Sequence, residues 1–107
     1  MNADVLLRLA ETLASRRKAD PEKSYTAKLF AKGPDSILKK IGEEGAELIM
    51  AAKDGERDHI VYESADVLYH LVALLTFYDI GVEEVLGELQ RREGTSGIAE
   101  KNSRTAG

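Results

Sequence analysis

The stretch IGEEGAELIMAAKDG, residues 41–55, decides how this chain folds. Apolar residues at helical spacing predict one buried helix face, formed by Ile37, Ile41, Leu48 and Ala52. Glu44 falls in the middle of that face, and Glu47 lies at its edge. Because burying a lone carboxylate is costly, Glu44 must have a partner. The identity of that partner decides what the protein does.

A second predicted helix, over about residues 57–79, carries two acids beside its own apolar stripe. Glu63 and Asp66 are three residues apart and flank the stripe of Ile60, Val67, Leu71 and Leu74. A short loop at Asp54-Gly55 separates the two helices, so they should pack antiparallel. The acids of the two helices lie about two turns before and after that loop. They should therefore meet at the same height.

Converging carboxylates repel one another unless a cation lies between them. Oxygen-only ligation suits Mg²⁺, with Mn²⁺ as a substitute, rather than zinc. The predicted metal ligands, which are also predicted to be catalytic, are Glu44, Glu47, Glu63 and Asp66. Glu43 lies further round the helix toward solvent and is predicted to support catalysis by orienting water.

These acids have two alternative interpretations. Solvated glutamates could form ordinary i,i+4 pairs, Lys39–Glu43 and Lys40–Glu44, but four acids at matching heights beside apolar stripes do not suit a solvated face. A di-iron carboxylate bundle needs Glu-x-x-His on its ligand helices. His70 instead follows Glu63 by seven residues, which argues against a di-iron site. Because His70 lies on an apolar helix, we expect it to be a hydrogen-bonded core histidine.

The rest of the chain favours an all-α bundle of about four to five helices per subunit. Both prolines lie between periodic segments, and no alternating pattern predicts a strand. We expect a domain over residues 1–93 with helices near its start, over about 24–30, 34–53 and 82–93, followed by a tail over 94–107. The helix over 57–79 is apolar nearly all round from Val67 to Tyr78, which predicts that homodimerisation completes the bundle.

Composition narrows the classes of function. The 107-residue chain has no cysteine, which excludes disulfides, thiolate nucleophiles and zinc–sulfur sites. A net charge of −4 argues against nucleic-acid binding. The start lacks a signal-peptide pattern, and the longest stretch free of formal charge, Val67 to Tyr78, is too short to cross a bilayer. We expect a cytoplasmic protein without a membrane partner.

Three stretches carry a resemblance to a known family. GEEGAE (residues 42–47) and ESAD (63–66) resemble the EExxE…ExxD pattern of the all-alpha, MazG-like nucleoside-triphosphate pyrophosphohydrolases. The flanks SYTAKLFAKGPDSILKKIGEEGAE (24–47) and ELQRREGTSGIAEKNSR (88–104) resemble phosphoribosyl-ATP pyrophosphohydrolases. The likeness covers about residues 4 to 104.

The resemblance implies hydrolysis of phosphoribosyl-ATP to phosphoribosyl-AMP and pyrophosphate, the second step of histidine biosynthesis. It also implies a Mg²⁺-dependent, cytoplasmic homodimer. We expect a separate cyclohydrolase to perform the next step, which makes that enzyme a candidate partner. The alternatives are a house-cleaning pyrophosphohydrolase of free or damaged nucleotides and a non-catalytic helical dimerisation module.

The polyanionic substrate requires local positive charge on an acidic protein. Eight residues are predicted to bind the substrate. They lie before and within the helix that carries Glu44, and around the tail: Lys28, Lys32, Lys40, Arg92, Ser96, Gly97, Lys101 and Arg104. The tail is predicted to fold over the substrate. Tyr25 could stack on adenine or simply pack.

Overall fold

The structure, a computed structural model, describes residues 4–94 of the chain. Those residues form five helices and contain no strand: α1 (Asp4–Arg16), α2 (Tyr25–Ala31), α3 (Pro34–Asp54), α4 (Arg57–Phe77) and α5 (Val82–Glu93). The predicted all-α class is confirmed. Residues 95–107, which make up nearly all of the predicted tail, lie outside the described residues.

Local sequence signals set the ends of the helices that carry the predicted site. Pro34 opens α3, and Gly55 ends it in a left-handed conformation (φ 74°), with its N–H bonded to the carbonyls of Ala51 and Ala52. The Ser24 hydroxyl accepts a hydrogen bond from the N–H of Ala27 and so caps α2. Because α4 begins two residues after Gly55, α3 and α4 form a tight antiparallel pair.

Helix α4 ends at Phe77, two residues before the predicted boundary. Asp79 adopts a positive φ of 58°, which breaks the helical path. The Arg17 guanidinium donates to the Asp79 carboxylate and to the carbonyl of Thr76. A contact from outside the helix therefore stabilises this end, which is why periodicity misplaced it.

The α3–α4 pair forms the centre of the fold, with α1 packed on α4, α2 on α3, and α5 on α1. One cluster of buried side chains from all five helices forms the core: Leu13, Leu29, Phe30, Ile37, Val72, Ala73 and Val82. This arrangement buries one side of the α3–α4 pair under α1 and α2.

Two details of the predicted buried faces were wrong. Ala52 is exposed, and its neighbour Ala51 is completely buried instead. On α4, Glu63 does not flank the buried face but lies within it, together with His70 and Ala73. Because α4 is apolar on most sides, its periodicity could not show which side faces the core.

Several large apolar side chains on α3 and α4 remain exposed: Leu38, Ile49, Met50, Val61, Tyr62 and Leu68. Helix α4 is also long and apolar enough, by length and composition alone, to cross a membrane, a test that core helices of soluble proteins pass as well. In this fold α4 packs on α1 and α3 and buries Glu63 and His70.

Candidate metal and substrate site

Three of the four predicted metal ligands converge between α3 and α4. Ligand oxygens of Glu44, Glu63 and Asp66 all lie within 4.8 Å of one another. Glu44 and Glu63 are 8% and 5% exposed, and each has one carboxylate oxygen, Oε2, that is buried without a hydrogen-bond partner. Buried oxygens of this kind are costly unless something binds them.

The electrostatics of the cluster favour a bound cation. Burial is the largest cause that raises the pKa of Glu44, and together with the charges of Asp66 and Glu47 and close contacts with Glu63 and Asp66 it brings that pKa to about 7. A divalent cation would relieve both the repulsion and the unpaired oxygens. Because all the donors are carboxylate oxygens, the set fits a hard ion such as Mg²⁺.

The other two predicted acids lie at the margin of this cluster. Glu47 is exposed and is not among the three that converge, although its charge acts on Glu44. Glu43 is exposed, as predicted, and faces a groove beside the cluster. Within residues 4–94, neither Lys39–Glu43 nor Lys40–Glu44 forms an ion pair, and the ion pairs present involve other residues.

The groove beside the cluster is basic. It has a volume of about 410 Å³ between α2 and α3, and its walls are Tyr25, Lys28, Leu29, Lys32, Ser36, Lys39, Lys40 and Glu43. Four lysines against one glutamate give it a positive field within an acidic protein. The groove lies beside the acids, because Tyr25 on its wall is hydrogen-bonded to His70, which is in turn hydrogen-bonded to the main-chain oxygen of Asp66.

The predicted substrate residues divide into three groups. Lys28, Lys32 and Lys40 line the groove. Arg92 does not line it and instead donates a hydrogen bond to Glu88 on α5. Ser96, Gly97, Lys101 and Arg104 lie outside the described residues.

Two groove residues, Ser36 and Lys39, were missed as binding residues. They precede Glu43 at spacings of seven and four, which places all three on one side of α3. Helical spacing from Glu43 was therefore the signal that could have found them.

His70 is the buried, hydrogen-bonded histidine that the sequence predicts. Its Nδ1 lies 2.9 Å from the main-chain oxygen of Asp66, and its Nε2 lies 2.8 Å from the Tyr25 hydroxyl. A second histidine, His59, is exposed and lies 3.2 Å from the Glu63 carboxylate. Sequence reasoning missed both the Tyr25–His70 and the His59–Glu63 contacts.

Comparison with known proteins identifies the family of this chain. The profile of the phosphoribosyl-ATP pyrophosphohydrolase family matches residues 6–93. A phosphoribosyl-ATP pyrophosphatase of Dechloromonas aromatica is 71% identical over 101 residues, which cover 94% of each chain. Proteins of the same name from Aromatoleum aromaticum and Rhodobacter capsulatus are 53% and 58% identical, over 98% and 92% of this chain and 97% and 96% of their own. The chain belongs to the phosphoribosyl-ATP pyrophosphohydrolase family.

Proposed function

We propose that this protein hydrolyses phosphoribosyl-ATP to phosphoribosyl-AMP and pyrophosphate, the second step of histidine biosynthesis, in a Mg²⁺-dependent reaction. The observation that carries the proposal is the buried cluster of Glu44, Glu63 and Asp66, with unpaired oxygens, beside a groove lined by four lysines. A polyphosphate needs both features, since its charge must be neutralised where the bond breaks and along its length. Family membership supports the same substrate.

The roles of the side chains follow from their positions. Glu44, Glu63 and Asp66 would hold the cation, with Glu47 at the exposed margin as a further ligand. A bound Mg²⁺ ion neutralises phosphate charge and promotes deprotonation of the attacking water. Lys28, Lys32 and Lys40 bind phosphate oxygens along the groove, and Glu43, at the groove wall, orients water.

Pyrophosphate release from phosphoribosyl-ATP, measured with Mg²⁺ and with EDTA, tests the proposal. We expect release only with the metal, and a loss of at least about 100-fold in kcat for Glu44→Gln and Asp66→Asn, because removing ligand charge weakens phosphate neutralisation. Glu11→Gln, on the exposed surface of α1, is the matched control and should keep normal turnover. Near-normal turnover in either ligand variant would contradict the assignment. Faster hydrolysis of dCTP or dUTP would favour the house-cleaning alternative.

We also propose that the protein is a homodimer whose interface uses α3 and α4. The exposed apolar side chains Leu38, Ile49, Val61 and Leu68 support this, because a monomer would leave them in water. Gly42 and Gly45 lie at helical spacing on the same side of α3 as Leu38 and Ile49, and a methyl group at either would meet no atom of the same chain. Helix-interior glycines cost about 1 kcal/mol each, which close approach by a second subunit would offset.

Light scattering at micromolar concentration tests the dimer. We expect twice the chain mass for the wild-type protein and a monomer for Leu68→Glu, because a buried unpaired carboxylate is costly. Val5→Glu, at a similarly exposed position on α1, is the control and should remain dimeric. A monomeric wild-type protein would overturn the proposal.

We propose that the C-terminal tail, residues 94–107, covers the substrate through Ser96, Gly97, Lys101 and Arg104, with Arg92 at the end of α5. Truncation after Glu93 should raise KM, and an unchanged KM would count against this role.

We propose a cytoplasmic location, and a separate cyclohydrolase as the candidate partner, which co-purification of the two proteins would test.

A further inference from the structure

Tyr25 stands at the junction of the two halves of the proposed site. Its side chain lines the lysine groove, yet the residue is 51% exposed, which is unusual for an aromatic residue with a buried hydrogen-bond partner. The hydroxyl end reaches His70, which is only 6% exposed. Tyr25 and Lys28 also form part of a second, neighbouring groove of about 450 Å³. Tyr25 therefore lines both grooves.

The hydrogen bonds of His70 determine what the Tyr25 hydroxyl can do. A main-chain oxygen can only accept, so Nδ1–H of His70 donates to the oxygen of Asp66 at 2.9 Å. In the neutral imidazole the other nitrogen, Nε2, is then an acceptor, and the Tyr25 hydroxyl donates to it at 2.8 Å. The single proton of the hydroxyl is committed to His70, so it is not available to a phosphate oxygen. The hydroxyl oxygen can still accept a hydrogen bond, but a phosphate has no donor for it at neutral pH, so the ring is the part of Tyr25 that can bind the rest of a nucleotide.

The same contact holds the hydroxyl end of the ring in place, while about half of the residue's surface remains exposed. The planes of the two rings are 89° apart with centroids 6.0 Å apart, and they meet where the phenol oxygen points at the imidazole edge. His70 is itself fixed to α4 through Asp66 and packed edge-on against Tyr69 at 5.3 Å. A partly exposed aromatic ring that is held by a hydrogen bond beside lysines is the arrangement on which nucleic-acid bases stack.

We propose that Tyr25 is the stacking platform for the nucleobase of the substrate and that His70 is the residue that positions it. This inference rests on the proposed function, since it assigns one part of the same nucleotide to one residue. The lysines then bind the phosphates, while the Tyr25 ring distinguishes a nucleotide from a polyphosphate without a base. Hydrogen bonds join Tyr25 through His70 to the main-chain oxygen of Asp66, one of the three clustered acids, so the base and the scissile phosphates would occupy adjoining parts of one site.

The test compares two inhibitors of phosphoribosyl-ATP hydrolysis, ATP and inorganic tripolyphosphate, which differ in the presence of a nucleoside. Tyr25→Leu should weaken inhibition by ATP about 5- to 150-fold, the range expected for loss of one stacked base, and leave inhibition by tripolyphosphate unchanged. Lys40→Ala should weaken both inhibitors. Tyr78→Leu, at an equally exposed tyrosine outside the groove, is the matched control and should change neither.

The role of His70 is tested by a double-mutant cycle. His70→Phe alone should weaken inhibition by ATP and leave inhibition by tripolyphosphate unchanged. In the Tyr25→Leu background, His70→Phe should cause no further loss of inhibition by ATP. A merely structural role would weaken both inhibitors and would persist in the double variant. Additive losses would overturn the positioning role.

NMR of the wild-type protein tests the same inference and does not depend on a variant that folds. The chain has only four tyrosines, so ring-labelled tyrosine gives few signals, and Tyr25→Phe assigns the relevant one. ATP should shift the Tyr25 ring signals of the wild-type protein far more than tripolyphosphate does. Equal shifts, or an unchanged ratio of the two inhibition constants in Tyr25→Leu, would overturn the inference. A wild-type protein that releases no pyrophosphate from phosphoribosyl-ATP would instead refute the proposed function.

Discussion

The Glu44 carboxylate should destabilise the metal-free protein, so replacing it by glutamine should make that protein more stable. Glu44 is buried, one of its oxygens is unpaired, and its pKa is raised from 4.5 to about 7. At 1.36 kcal/mol per pH unit this rise corresponds to about 3 kcal/mol. Because Asp66 is only partly buried, water screens part of the repulsion, and we expect about 1–2 kcal/mol.

The pH dependence has a definite sign. Between pH 4.5 and about 7 the folded protein holds the Glu44 proton more tightly than the unfolded chain does, so stability falls as pH rises through this range. Glu44→Gln has no such proton and should show a flatter profile. The charged and titratable groups around Glu44 come from three helices and are the same in both proteins: Tyr25, Lys40, Glu47, Glu63 with its partner His59, and Asp66.

Urea unfolding in EDTA and in Mg²⁺, at pH 5 to 8 and one protein concentration, measures the effect. In EDTA at pH 8 the variant should be more stable by about 1–2 kcal/mol. Mg²⁺ at 100 times its Kd should stabilise the wild-type protein by about 2.7 kcal/mol and the variant by much less, which reverses the order. Glu11→Gln should stay within about 0.5 kcal/mol of wild type throughout. If the wild-type protein in EDTA at pH 8 is as stable as Glu44→Gln, the reasoning is refuted.

Three further predictions concern stability away from the site. Gly87→Ala, at an exposed interior position of α5 where a methyl group meets no atom, should stabilise the protein by about 0.5–1 kcal/mol, and an unchanged Tm would contradict this. Hydrogen bonds from Arg91 and Arg92 lower the pKa of Glu88 to about 2, so Glu88→Gln should cost some stability at pH 7, and the cost should disappear as pH falls through about 2; a loss that is undiminished below pH 2 would exclude this cause. Arg17→Ala removes donors to the end of α4 and should destabilise the protein by about 1 kcal/mol in thermal melts, whereas no change would show that water replaces them.

Most of the helical architecture follows from local signals in the sequence. Pro34 and Gly55 bound α3, Ser24 caps α2, and the short loop forces α3 and α4 to pack antiparallel. Because all of these depend on neighbouring residues, the sequence alone predicts them. The convergence of Glu44 with Asp66 follows too, since helical spacing and loop length determine their heights.

Contacts between distant segments were decided only by the tertiary structure. On α4 most sides are apolar, so periodicity placed Glu63 at the edge of the buried face, whereas packing against α1 and α3 buries it. The groove requires α2 to lie against α3, and the Tyr25–His70 bond joins residues 45 positions apart. Helical spacing was enough to predict the acids of this site from the sequence. Spacing along one helix carries no information about which other helix covers it. The aromatic and basic surroundings of the acids were therefore decided only by the packing of the helices.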